Sequence, residues 1–375
     1  MTEKTITING NTFDFKPGET ILDVARKNQI DIPTLCYLKR TTPTGECRIC
    51  VVEVENARDL LPACSTPAEN NMKVLTESKQ VVESRRSTLQ LLLASGNHNC
   101  AVRGSDGQNW TSFQLDIQKQ DMSENLCPAW GDCELQNLAY KYQVSGELFP
   151  PTKVNYPMET VNPFIIRDFS RCILCGRCVK ACNEIQVNNA IEFGYDGDKK
   201  KIIAGDDKPL KDSDCVFCGE CIQVCPVGAL VYKDARFDRQ WENKKVRSTC
   251  SYCGVGCQID FHVKDNRIIK ITGAEDTPPN YGSLCVKGRF GFNFVHSKDR
   301  LTTPLIKENG KFREATWDEA LDLTARRLSE IKDQHGPDSI GVFTSARVTN
   351  EDNYVAQKFT RAALKTNNID HCARL

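Results

Sequence analysis

Twenty cysteines in 375 residues constrain this chain more than any other feature, because most of them stand in tight groups. In order they are Cys36, Cys47, Cys50, Cys64, Cys100, Cys127, Cys133, Cys172, Cys175, Cys178, Cys182, Cys215, Cys218, Cys221, Cys225, Cys250, Cys253, Cys257, Cys285 and Cys372. A short loop with two or three residues between thiols can point several of them at one centre, which is a metal-site spacing. A disulfide framework needs an oxidising compartment, and Met1–Ile6 has no apolar run behind a basic flank that would read as an export leader. Zinc is satisfied by two Cys-x2-Cys pairs. Repeated Cys-x2 steps closed by a further Cys are the iron–sulfur pattern.

That pattern occurs twice, as Cys172-x2-Cys175-x2-Cys178-x3-Cys182 and as Cys215-x2-Cys218-x2-Cys221-x3-Cys225-Pro226. This is the two-cluster bacterial ferredoxin run, in which the fourth Cys serves the other cluster. One 4Fe-4S centre is therefore expected on Cys172, Cys175, Cys178 and Cys225, and the other on Cys215, Cys218, Cys221 and Cys182. Asn183 follows Cys182 where the second run has a proline. Ala190–Phe193 and Lys201–Ile203 read as short strands around a polar turn.

Upstream, apolar residues alternate on both sides of Asn9-Gly10, a hairpin signal. Thr20 is placed to cap a helix reaching Lys27. Hairpin, helix and a loop of Cys36-x10-Cys47-x2-Cys50-x13-Cys64 follow the order of a β-grasp ferredoxin. The segment resembles the 2Fe-2S domain of the large complex I iron–sulfur subunit and of some iron-only hydrogenases. A zinc knuckle competes, but the outer spacings are irregular for one. Val81–Leu93 reads as a helix. His98, Cys100, Cys127 and Cys133, with Glu134-Leu135-Gln136 after them, resemble the His-and-three-Cys 4Fe-4S site of the same families. The family pattern is His-x3-Cys-x2-Cys-x5-Cys. Here only the last gap and its trailing residues match, and Ala101–Leu126 reads as an insertion. A surface-loop role for His98 is the alternative.

Phe149–Pro163 is a Pro-rich joint, and Lys233–Ser248, charged and aperiodic, reads as a linker. Then Cys250-x2-Cys253-x3-Cys257-x27-Cys285 ends in Val286-Lys287-Gly288-Arg289-Phe290. This resembles the N-terminal 4Fe-4S domain of the molybdopterin oxidoreductases. The resemblance implies that Lys287 lies between cluster and pterin, relaying electrons and balancing pterin charge; the alternative is a surface lysine. Ile259–Val263 and Arg267–Ile271 read as two strands joined by Lys264-Asp265-Asn266.

From about 302 a helix beginning at Trp317, a strand at Asp338–Phe343 and a helix beginning near Asn350 open an α/β domain. Thr344–Glu351 and the closing His371-Cys372-Ala373-Arg374-Leu375 resemble the start of a formate dehydrogenase catalytic subunit. The resemblance implies a selenocysteine or cysteine metal ligand just beyond Leu375, with Cys372 as its neighbour. The chain is therefore expected to be cut at that position, by UGA read as a stop; deliberate truncation is the alternative.

The expectation is an α+β multidomain iron–sulfur protein. It comprises a β-grasp 2Fe-2S domain (1–78), a 4Fe-4S domain with one histidine and three cysteine ligands (79–148), a two-cluster ferredoxin domain (149–240), a small β-rich 4Fe-4S domain (244–301) and the start of an α/β molybdopterin domain (302–375). Its cofactors would be one 2Fe-2S cluster, four 4Fe-4S clusters and, in the full-length protein, a molybdenum or tungsten bis-pterin guanine dinucleotide. The resemblance implies a cytoplasmic formate dehydrogenase alpha subunit converting formate and carbon dioxide reversibly. Its partners would be flavin/NAD(P)-binding and iron–sulfur subunits of a hydrogenase-like or electron-bifurcating complex, or ferredoxin. A complex I-like large subunit and a non-catalytic relay are the alternatives. Forty-nine basic and forty-nine acidic residues cancel, which gives no support to a nucleic-acid partner. No run of about 18 apolar residues predicts a membrane span.

Overall fold

The structure is a computed structural model that describes residues 4–96, 98, 127–144, 149 and 156–373. The chain divides into two compact units, Met1–Asn243 and Lys244–Leu375.

In the first unit, β1 (Thr5–Ile8) and β2 (Asn11–Asp14) form an antiparallel hairpin. Its turn residues Asn9 and Gly10 have φ of 51° and 85°, the left-handed pair that a two-residue hairpin turn needs. α1 (Ile21–Lys27) begins at a capping box between Thr20 and Asp23. β3 (Val51–Val54), β4 (Leu61–Pro62) and β5 (Met72–Leu75) complete a mixed sheet in the order β2-β1-β5-β3-β4, with β1 and β5 parallel. Ile6, Ile8, Leu22, Val24, Val52 and Val74 form the core between α1 and this sheet.

α2 (Lys79–Ala94) is capped by Ser78 and buries Val81, Arg85, Leu89 and Leu93. α3 (Glu134–Lys141) follows Cys133. β6 (Ile165–Arg167), β7 (Glu192–Gly194), β8 (Lys201–Ile203) and β9 (Leu230–Tyr232) make two antiparallel pairs, β6 with β9 and β7 with β8. Two short helices, α4 (Arg177–Lys180) and α5 (Glu220–Val224), each carry a third cysteine of a run. A second core joins these parts. Leu35, Ile49, Leu89, Leu135, Ile173 and Val227 belong to it, and Cys47, Cys172, Cys175 and Cys225 pack against it.

The second unit corrects the linker reading. Residues 244–249 are a strand, β10 (Lys244–Thr249), paired antiparallel with β11 (Gln258–Lys264), which pairs with β12 (Arg267–Gly273). β10 is an edge strand whose residues are largely exposed, so burial imposes no apolar alternation on it. Cross-strand ion pairs bind it instead: Lys245 and Arg247 both reach the buried carboxylate of Asp260, at 3.0 and 2.5 Å. α6 (Val286–Phe290) follows Cys285. β13 (Leu305–Glu308) and β14 (Lys311–Glu314) form a hairpin.

α7 (Trp317–His335) ends at Gly336, whose φ is 84°. Pro337 opens a short turn there, so β15 (Val342–Thr344) starts later than the expected Asp338. α8 (Asn350–Phe359) leads towards β16 (Ile369–His371), a strand not expected from the sequence, parallel to β15. Among the described residues no helix is long and apolar enough to cross a membrane.

Candidate metal centres

The β3–β4 pairing builds the first site. Val51 faces Pro62, and the Ala63 N–H donates to the Cys50 carbonyl at 3.0 Å, so Cys50 and Cys64 are brought side by side. Cys36, Cys50 and Cys64 are buried. The Cys47 thiol donates to Cys36 and the Cys50 thiol to Cys64, which holds Cys36 down to about 6 and Cys64 to about 7 and pushes both donors up. Cys64 lies in the field of Cys36 and Cys50 in that of Cys47, so the four thiols are one group. Gly45, with φ of 67°, has no room for a Cβ, which would sit 2.8 Å from Ser65 Oγ.

Cys127 and Cys133 are buried together at the start of α3. Burial pushes the Cys133 thiol up to about 12. Gln136 Oε1 accepts from the Gly131 N–H at 2.7 Å, closing the loop between the two cysteines. Cys100 lies outside the described residues. His98 Nε2 is buried with no hydrogen-bond partner. Burial first, then the Arg171 cation, lower the His98 pKa to about 4. The ring is therefore neutral, with a nitrogen available to a metal. A Cβ on Gly96 would lie 2.6 Å from the Ser170 carbonyl, so this loop rests on the turn before Cys172.

The ferredoxin-type runs interleave. Cys178 lies in the field of Cys175, Cys172, Cys225 and also Cys221, and Cys215 in that of Cys218 and Cys182. Each run thus contributes its last cysteine to the other's group. Burial pushes Cys172 and Cys175 up to about 12. Cys172, Cys175, Cys178, Cys221 and Cys225 line one cavity with apolar walls that include Ile173 and Val227. Thiols held dry at one cavity are costly to ionise alone, whereas a cationic centre stabilises the thiolates. The donor sets therefore fit a bound metal–sulfur group.

In the second unit Cys257 lies in the field of Cys250, Cys253 and Cys285, and burial raises it. The Cys250 N–H donates to the Cys257 carbonyl at 2.8 Å, which closes the loop. Asn280 fixes its exit: Oδ1 accepts from the Gln258 N–H at 2.7 Å and Nδ2 donates to the Ser283 carbonyl at 3.0 Å. α6 packs close to Cys250, whose Sγ is 3.5 Å from where a Cβ on Gly288 would stand, an ordinary contact. Lys287 is exposed on α6. Asn350 Nδ2 at the start of α8 donates to the Gly254 carbonyl at 2.8 Å. Cys372 is exposed at the end of β16. Among the described residues, no three His, Cys, Asp or Glu side chains are gathered as a single-ion site.

Three site residues escape a reading of cysteine spacing. Arg85 is fully buried and donates to the carbonyls of Ile49 and Val51, to Glu77 Oε1 and to Tyr142 OH, at 2.7 to 3.0 Å. It ties the Cys47–Cys50 loop to α2 and α3. Its signal is an arginine on the same helical stripe as Val81 and Leu89. Arg239 donates to the carbonyls of Cys127 and Pro128, at 3.2 and 3.0 Å. Trp241 covers Gly131, 2.1 Å from where a Cβ would stand. Both lie in the stretch read as linker.

The comparisons with known proteins follow the same division. Residues 2–79 match the family described as "2Fe-2S iron-sulfur cluster binding domain", and residues 171–229 match "4Fe-4S dicluster domain". Residues 243–297 match "Molybdopterin oxidoreductase Fe4S4 domain" and residues 300–375 "Molybdopterin oxidoreductase". The chain is thus similar to iron–sulfur members of the molybdopterin oxidoreductase family, through its residues 243–375. It carries 2Fe-2S and 4Fe-4S cluster domains and the start of a molybdopterin oxidoreductase domain.

The alpha subunit of the NADPH-Fe(3+) oxidoreductase of Geobacter sulfurreducens is 37% identical over 375 residues, covering 99% of this chain and 40% of that protein. Bacillus subtilis YrhE, provisionally named a formate dehydrogenase, is 33% identical over 411 residues, covering 98% of this chain and 39% of that protein. The chain thus spans about 40% of the length of these curated relatives. A chain in the crystal structure of an NAD+-reducing [NiFe]-hydrogenase in the H2-reduced state is 31% identical with a TM-score of 0.53, covering 63% of this chain and 90% of that one.

Proposed function

We propose that this chain is the electron-relay part of a cytoplasmic formate dehydrogenase alpha subunit. In this reading residues 1–78 are a β-grasp domain with a 2Fe-2S cluster on Cys36, Cys47, Cys50 and Cys64. One 4Fe-4S cluster takes His98, Cys100, Cys127 and Cys133. The ferredoxin part holds two 4Fe-4S clusters with the crossed ligand sets described above, and Cys250, Cys253, Cys257 and Cys285 hold the fifth centre. Formate would be oxidised to carbon dioxide at a molybdenum or tungsten bis-pterin guanine dinucleotide in the whole protein. The chemistry belongs to that cofactor, and the protein orients it and sets its electrostatics. Lys287 would lie between pterin and cluster and bridge electron transfer, as the resemblance implies. The clusters would pass electrons singly to flavin/NAD(P)-binding subunits or to ferredoxin.

One observation carries the reading: each described cysteine run folds so that its thiols share a common field. The resemblance at Thr344–Glu351 and His371–Leu375, with the provisional name of the Bacillus relative, supports formate as donor. The test is to add formate anaerobically to the whole holoprotein and follow the reduced-cluster signals by electron paramagnetic resonance. Formate-dependent reduction is expected. A second reading, electron transfer between NADPH and a ferric acceptor, is favoured by the higher identity to the Geobacter protein. Clusters that NADPH reduces through partner subunits while formate leaves them oxidised would replace the first reading with the second.

A further inference from the structure

The cysteine runs 172–182 and 215–225 repeat one another in backbone as well as in spacing. Leu174 and Phe217 have φ of 53° and 54°, and Gly176 and Gly219 have φ of 73° and 71°. The Leu174 N–H donates to Cys172 Sγ and the Phe217 N–H to Cys215 Sγ, both at 3.4 Å. Each glycine is the N-cap of a short helix, α4 in one copy and α5 in the other. Against this repeat one position differs in kind. The first helical residue, just before the third cysteine, is Arg177 in one copy and Glu220 in the other.

Both are buried, 7% and 3% exposed. Burial of a charge is costly unless it is paired, and its field is then large because little water screens it. The Arg177 guanidinium acts on Cys175 and Cys225. It is held in place by both carboxylate oxygens of Glu134, at 2.6 and 2.9 Å. That carboxylate is 46% exposed, so solvent screens it more than it screens Arg177. Glu220 Oε2 accepts from Gln186 Nε2 at 3.4 Å, and Gln186 closes the turn Ala181–Ile185 that carries Cys182. Glu220 therefore lies against the turn that carries Cys182, a side on which the buried Arg167 cation also acts, through Cys215.

We infer that Arg177 and Glu220 split the reduction potentials of the two ferredoxin-type centres, Arg177 raising that of the Cys172–Cys175–Cys178–Cys225 centre and Glu220 lowering that of the Cys215–Cys218–Cys221–Cys182 centre. The inference rests on the reading that both thiol groups hold 4Fe-4S clusters. Each reduction adds one negative charge to a cluster. A buried cation beside it stabilises the reduced form and a buried anion opposes it. An electron at the Glu220 centre then runs downhill to the Arg177 centre. That is also the centre whose Pro226 carbonyl accepts from the Glu134 N–H at 2.9 Å, one residue from Cys133. The charge pair biases electrons within the ferredoxin part towards the Cys127–Cys133 site.

The test is a redox titration of the anaerobic holoprotein followed by electron paramagnetic resonance, with iron and acid-labile sulfide counted in every sample. Each centre is identified by the signal lost in Cys178→Ser or Cys221→Ser. Arg177→Gln should shift the one-electron equilibrium of its own centre about tenfold towards the oxidised form, about 59 mV downward. Glu220→Gln should shift the other centre upward by a similar factor. Arg177→Lys, which keeps the charge and loses the planar fork, should stay nearer the wild type than Arg177→Gln. The inference is overturned by full iron and sulfide with unmoved midpoints, by both variants moving one centre, or by Lys and Gln at 177 acting alike. A wild-type holoprotein in which the two cysteine variants remove no iron would instead overturn the cluster reading, and the inference with it.

Discussion

α2 and α7 follow the same local rules and come to different ends. Ser78 caps α2 by accepting from the Val81 N–H, and Thr316 caps α7 by accepting from the Glu319 N–H. Both repeat apolar residues at helical spacing. α2 buries Val81, Arg85, Leu89 and Leu93, whereas α7, with 19 residues, buries none. Leu321 on α7 is 59% exposed and Phe343 on β15 is 89% exposed, while Ile6 and Leu22 are fully buried. Caps and periodicity thus suffice to specify a helix. Whether its apolar face stabilises the fold depends on a surface to receive it.

Substitutions can press on that contrast. The largest effect is expected from Arg85→Met, which removes the Arg85 donors from the Ile49 and Val51 carbonyls and leaves Glu77 only the Tyr142 hydroxyl. Breaking a buried network of this kind costs about 3–5 kcal/mol. Urea unfolding of the holoprotein should show the loss in the first unit, with bleaching of the visible cluster absorbance at lower urea. An unchanged midpoint would mean that Arg85 does not hold the loop. Next, Leu22→Ala should destabilise by about 2–5 kcal/mol, while Leu321→Ala in the 375-residue chain should stay within about 0.5 kcal/mol. Equal losses in the same urea series would show that the α7 face is covered after all.

The smallest effect is electrostatic and belongs to the second unit. Burial raises the Asp260 carboxyl, but Arg247 and Lys245 outweigh it and hold it below the ordinary range. A depressed carboxylate stabilises the fold above its unfolded pKa of about 3.9, and that contribution is lost as pH falls through the lower folded value. Amide protection along β10, taken relative to the intrinsic exchange rate at each pH, should therefore fall on acidification in the wild type. It should depend less on pH in Asp260→Asn, and identical profiles would remove the pair from the account.

The elements with strong local signals are legible in the sequence. The Asn9–Gly10 hairpin, α1 behind Thr20, α2, and the β7 and β8 strands all lie where turn chemistry and periodicity put them, give or take the end residues. The gathering of cysteines is legible because spacing alone limits where thiols can point. Several features are not. β10 is held through Asp260 on a neighbouring strand, and an ion pair leaves no periodic trace. Ile369–His371 becomes a strand only because Val342–Thr344 is there to pair with it. Arg239 and Trp241 reach the Cys127 loop from more than 100 residues away, and contacts at that range lie outside any local pattern. Arg85 reads locally as one more residue of an amphipathic helix, although its charge on the apolar stripe is the clue.

The apolar core that Leu89, Leu135, Ile173 and Val227 build is also the wall of several cysteine groups, since Cys47, Cys127, Cys133, Cys172, Cys175 and Cys225 belong to it or pack against it. Cys250 and Cys257 sit with a separate core of Ile259, Ile271 and Leu284. For biogenesis this means two different regimes. In the first unit an empty site is a defect in its neighbours' foundations, so cofactor loading and chain closure should proceed together, and a half-loaded intermediate should be prey to proteases. In the second unit the loop leans on its own small core, so its loading should be less tied to closure of the first unit's core.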